Sequence, residues 1–163
     1  MNKKLLYCCI VKLLRGKRSF SGFTIIEIMI VIGIVSVLST MVLVVFNPSK
    51  KFSQAYNTKR RTDINSLLNA INQYAADNKG ALPSGISTST QIISNTGANI
   101  CLVLVPQYIA SLPVDPLTNN GTPIATCSGS FNTNYTASKS ATNNRVTVSA
   151  PAAELGEIIS VTR

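Results

Sequence analysis

Phe23-Thr24-Ile25-Ile26-Glu27-Ile28-Met29-Ile30-Val31-Ile32-Gly33-Ile34-Val35-Ser36-Val37-Leu38-Ser39-Thr40-Met41-Val42-Leu43-Val44-Val45-Phe46 decides how the rest of the chain is read. Of these 24 residues 18 are Ile, Val, Leu, Phe or Met, and Glu27 alone is charged. As a helix the run would extend about 36 Å, at ~1.5 Å per residue, which is enough to cross the hydrocarbon core of a bilayer. Its Ile, Val, Leu and Phe residues contribute roughly −0.3 to −0.6 kcal/mol each, and together they outweigh a central acid at about +2.5 to +3.5 kcal/mol. Insertion is therefore predicted with the acid in place. Two readings of Glu27 compete: it snorkels to the headgroups at the near end, or it has a partner inside the membrane.

Upstream, residues 1–22 hold six basic side chains and no acidic one, the pattern of a leader. A secretory signal would be cut at an Ala-x-Ala-like site after its apolar core, and none follows Phe46. A lipoprotein signal would need small residues ahead of Cys8, where Leu6 and Tyr7 stand. The basic leader, Gly22 before the aromatic Phe23, Glu27 four residues on and a long apolar helix resemble the class III signal of type IV pilins and type II secretion pseudopilins. The resemblance implies that a prepilin peptidase cuts between Gly22 and Phe23 and methylates the new amino group of Phe23. Orientation rests on this match, because six basic residues before the span face five just after it, Lys50, Lys51, Lys59, Arg60 and Arg61.

A role for Glu27 follows from helix geometry. It lies about 6 Å along the axis from a terminus at Phe23, so in a staggered bundle it can meet the terminal ammonium of a neighbouring copy. An unpaired carboxylate in hydrocarbon is costly and a paired one is relieved, so subunits would be drawn to one axial offset. The partners implied by the resemblance are other copies of the chain, the membrane, the prepilin peptidase, an assembly platform protein and an assembly ATPase.

Downstream, Pro48 would remove a helical hydrogen bond and is expected to kink the helix. Ala55, Tyr56, Ile64, Leu67, Leu68, Ile71, Tyr74 and Ala75 recur at helical spacing until Asn78-Lys79-Gly80, which predicts an amphipathic helix with Tyr56 and Tyr74 in its packing face. Lys59-Arg60-Arg61 reads as a solvated face. Ser, Thr, Asn and Gly then dominate from Pro83 to Gly97, a surface loop with Ser84 to Thr90 as sites for glycosylation. Ile100 to Ile109 reads as a short helix or buried turn, and Tyr108 to Gly121 as a loop. Strands are predicted at Thr122–Cys127, Phe131–Ser138, Arg145–Ser149 and Glu157–Val161, with Asn143-Asn144 as a hairpin turn. The expected organisation is a leader at 1–22, a membrane or filament-core helix at 23–47, an amphipathic helix at 48–80, a loop region at 81–121 and an antiparallel sheet at 122–163. A long N-terminal helix packed on a small antiparallel sheet is an α+β fold, which is also the pilin fold the resemblance implies.

Cys8 and Cys9 fall in the leader, whereas Cys101 and Cys127 belong to the exported part, where a disulfide is permitted and expected. The alternative is two buried thiols. In pseudopilins the loop resembling Tyr108 to Gly121 often binds calcium, and here Asp115, with Asn119 and Asn120, are the candidate ligands. One carboxylate is few for an ion that takes six to eight oxygens, and turns at Asp115-Pro116 and Asn120-Gly121 explain the same residues without a cofactor. No enzymatic function is expected from the residue types: the chain has no His, no phosphate-binding glycine loop and only six acids. Its net charge of +9 falls to +3 without the leader, which leaves nucleic acid as a weakly supported partner. The expected function is a structural subunit of a type IV pilus or a pilus-like filament. The alternatives are a type II secretion pseudopilin, a minor pilin that binds DNA or a surface through Lys59 to Arg61, Lys139 and Arg145, and a plain single-span anchored protein.

Overall fold

A computed structural model describes residues 22–163, which divide after Phe46 into an apolar helix and a head. The leader expected at 1–22, Gly22 apart, lies outside the described residues, and so do Cys8 and Cys9.

Helix α1 (Ile25–Phe46) opens on a cap that its sequence encodes. The Thr24 hydroxyl accepts from the Glu27 backbone N–H at 3.3 Å, and the Thr24 carbonyl accepts from Ile28 N–H at 3.2 Å. Thr24-Ile25-Ile26-Glu27 has the spacing of a capping box, in which the residue three positions after the cap is acidic and complements the positive end of the helix dipole. From Ile25 to Val42 the mean hydropathy is 2.5, and every side chain there is exposed. Its hydroxyls are satisfied within the helix. Ser36 donates to the Ile32 carbonyl, Ser39 to Val35 and Thr40 to Val37, each at 2.7 Å, an arrangement that would suit a segment in lipid.

The head begins at Asn47, whose left-handed backbone (φ 36°, ψ 75°) ends the first helix and whose side chain caps helix α2 (Pro48–Asp77) by accepting from Lys50 N–H. Pro48 sits at the first helical position, where its missing N–H costs nothing. The expected kink is thus a break between two helices. α2 stops where its sequence signals: Lys79 (φ 55°) and Gly80 (φ 86°) turn left-handed, and Gly80 N–H returns to the Ala75 carbonyl at 2.7 Å.

Ile64, Leu67, Leu68 and Ile71 of α2 are fully buried against an antiparallel sheet of order β1 (Gln91–Ser94), β2 (Asn132–Lys139), β3 (Val146–Ala150) and β4 (Ile159–Thr162). Each such aliphatic side chain contributes about 1.5–3 kcal/mol on burial. The strands alternate as half-buried strands must: Thr133, Tyr135 and Ala137 of β2 and Val146, Val148 and Ala150 of β3 face the core. At the hairpin between them Asn144 adopts φ 54°, and the Asn143 side chain accepts from Arg145 N–H at 3.1 Å. The fold is α+β.

Two expectations are corrected. Ile92-Ile93, placed in the 81–121 loop region, belongs to β1 and pairs with β2, so the sheet is not confined to 122–163. Thr122–Cys127 is not a strand, and only Ile124 bridges back, to Leu112. Pro123 lacks the N–H that a strand ladder needs, and Cys127 is bonded to Cys101 in the short helix α3 (Cys101–Leu104) with a Cα separation of 5.6 Å.

Candidate functional site

The sequence singles out two groups of residues, one at each side of Asn47. In the first, Gly22 and Phe23 form irregular chain ahead of α1, with Phe23 76% exposed and, among the described residues, nothing within 4 Å of where a Gly22 side chain would stand. One turn further on, Glu27 is exposed, and among the described residues no Lys or Arg pairs with it.

The second group lies in the head, where the structure departs from the sequence reading. Arg60, expected with Lys59 and Arg61 on a solvated face, is fully buried. Its Nε donates to Asp115 Oδ2 at 2.6 Å and its Nη2 to Asp115 Oδ1 at 3.3 Å, while Nη1 donates to Asn57 Oδ1 at 2.9 Å and to Glu154 Oε2 at 3.1 Å. Burial opposes the guanidinium charge, yet the hydrogen bonds to Asp115 and Glu154 outweigh it and raise the Arg60 pKa above its ordinary value. Lys59 pairs with Asp63 at 3.4 Å and Arg61 with Glu157 at 2.6 Å, so each of these two exposed cations has an acidic neighbour. Beside it the buried Tyr135 hydroxyl donates to Asp63 Oδ2 at 2.8 Å. Burial first, and then this bond, push the Tyr135 pKa well above the ordinary tyrosine value.

The structure does not assemble the three calcium candidates. Asp115 is buried with both carboxylate oxygens on Arg60, and Oδ1 also accepts from Leu117 N–H at 3.0 Å. Asn119 and Asn120 are exposed in a 3₁₀ turn (Asn119–Gly121). A cation at Asp115 would have to share its ligand with a guanidinium of like charge, and among the described residues no three acidic, His or Cys side chains converge. The set does not fit calcium. What sequence reasoning missed is Arg60 itself, and a signal was present: Arg60, Ile64, Leu67 and Ile71 recur at i, i+4, i+7 and i+11, which puts the arginine on the buried stripe.

Residues 17–43 match the family model described as the prokaryotic N-terminal methylation motif. The chain is also 33% identical over 111 residues to the type II secretion system core protein G of Pseudomonas aeruginosa, an alignment that covers 63% of this chain and 72% of that protein. The chain belongs to the type IV pilin and type II secretion pseudopilin family. No solved structure matches it. A pilin-like filament subunit is a structural protein, not an enzyme, and the division of this pilin-like chain into an apolar rod and a disulfide-bonded α+β head is consistent with that.

Proposed function

We propose that this pilin-like chain enters the membrane as a single-pass precursor, is cut between Gly22 and Phe23, and is methylated on Phe23. It then polymerises through α1 into the pseudopilus of a type II secretion system. Its partners in this reading are other copies of itself, the prepilin peptidase, an assembly platform protein and an assembly ATPase. The observation that carries the proposal is Glu27: one turn into a 22-residue apolar helix, it has no counter-charge among the described residues. The terminal ammonium created at Phe23 of a neighbour supplies that charge at the right axial distance, and the pair fixes the stagger between subunits more than it adds stability. The choice of pseudopilus over surface pilus draws on the identity with core protein G.

The test is Glu27→Val in cells that express the full chain. Insertion, cleavage and the melting of the head are expected to be unchanged while filaments disappear. Filaments at normal yield would refute the role of the acid. Loss of exoprotein secretion on deleting the gene supports the pseudopilus, whereas long surface fibres with secretion intact would assign the chain to a pilus.

A further inference from the structure

On the side of the head edged by β1, two open clefts meet along one strip of chain, Ser130-Phe131-Asn132. The first, about 490 Å³, lies between that strip and the segment 91–97, and the second, about 380 Å³, lies between it and the turn at Thr118 and Asn119. Both volumes fall in the ~300–1,000 Å³ range of small-ligand sites. Their walls are fixed by the fold. Asn95 N–H donates to the Phe131 carbonyl and Phe131 N–H to Asn95 Oδ1, each at 3.3 Å, while Asn132 Oδ1 accepts from Asn134 N–H at 2.8 Å. Each side-chain oxygen is thus committed to the backbone, which leaves Asn95 Nδ2 and Asn132 Nδ2 as donors with no partner among the described residues. Gly97 lets the segment fold tightly on itself: its N–H donates to Ser94 Oγ at 3.0 Å, and a side chain at its position would strike the Ile92 carbonyl.

We propose that this double cleft binds a neutral oligosaccharide. The inference goes beyond the filament reading and does not depend on it. Other ligand classes fail on the same residues. Among the described residues no Asp, Glu, Lys or Arg lines either cleft, so a nucleotide, an anionic lipid headgroup or a charged peptide would give up water without gaining a counter-charge. A hydrocarbon would strip water from the amides and hydroxyls of Gln91, Asn95, Thr96 and Ser130 and return no hydrogen bond. An extended peptide that added to β1 as a further strand would need its outward backbone groups, yet the Ile92 carbonyl already accepts from Ala98 N–H at 2.9 Å. A sugar chain meets every one of these conditions. Its hydroxyls both donate and accept, so they suit amide and hydroxyl side chains together. Its C–H faces suit the apolar parts of the lining, Ile92, 41% exposed, in the first cleft and Ile124 in the second. Two clefts that share a strip accept successive units of one chain, and because their walls are already fixed, docking orders few additional side chains.

The test uses the full chain in a detergent without a sugar headgroup, with fluorescently labelled cellohexaose and chitohexaose as probes and anisotropy as the readout. Saturable binding of at least one probe is expected, and an excess of the unlabelled hexasaccharide should displace it. Asn132→Ser keeps an oxygen for Asn134 N–H but removes the donor that both clefts share, and should weaken binding about tenfold. Ser130→Arg, at an exposed position, should melt like the parent and abolish binding by filling the common strip. No saturable binding of either probe by the parent would overturn the proposal, and so would unchanged affinity in both variants, which would place the sugar elsewhere. Tighter binding of labelled dextran sulfate than of both neutral probes would overturn the assigned ligand class. None of these outcomes bears on filament assembly.

Discussion

Glu27 is the one charge of an apolar helix and Arg60 a cation on the buried stripe of another, and the chain treats them in opposite ways. Arg60 is enclosed by its own head, with Asp115, Glu154 and Asn57 occupying its donors. Glu27 has a capped backbone and a carboxylate without a counter-charge among the described residues. A charge satisfied internally lets a unit be complete by itself; a charge left open makes a unit incomplete until another molecule arrives. The head is built in the first way, and in the proposed filament the rod is built in the second.

The largest effect should come from making Arg60 resemble Glu27. Asp115→Ala leaves a buried guanidinium short of its main partner and should destabilise the head by about 3–5 kcal/mol, read as a fall in the melting transition of the full chain in detergent. Replacing the pair together, Arg60→Met with Asp115→Leu, should recover most of that loss; failure to recover would mean that the network does more than neutralise charge. Next in size is the covalent tie. Cys101→Ser with Cys127→Ser should cost about 3.5 kcal/mol in the chain-entropy model for the 26-residue separation, again seen by melting, with membrane insertion unaffected.

A smaller effect concerns the neutral neighbour of this network, Tyr135. Its folded pKa is raised, so the folded state favours the protonated phenol. Stability from this group is fully present below the ordinary tyrosine value of 10.0 and is lost as pH rises above it, because the unfolded chain ionises first. The parent should therefore lose stability relative to Tyr135→Phe as pH climbs beyond that point. A stability difference between the two that does not change with pH would show that the phenol is not constrained as the structure has it.

The rod was legible in the sequence because its physics is one-dimensional: length, apolarity and the position of a single acid are all read directly. The helix α2 was legible from its periodicity, and its C-terminal stop from Asn78-Lys79-Gly80. β1 was not, since Ile92-Ile93 is too short to stand out in a Ser/Thr-rich loop and becomes a strand only by pairing with β2, some forty residues away. Arg60 was hidden by its neighbours: beside Lys59 and Arg61 it looks like one of three solvated cations, and only the partners at Asp115 and Glu154, distant in sequence, account for its burial. That Asp115 faces Arg60 was hidden for the same reason, because an isolated acid in a loop does not disclose which cation it faces.

The hydroxyl that stoppers α1 belongs to Thr24, on the far side of the Gly22–Phe23 junction from the leader. Severing that junction would leave the first helical turn with its cap intact, so no refolding need follow the cut. The fresh amine would emerge on a short stalk already aimed by a finished helix, ready to be received the moment it exists.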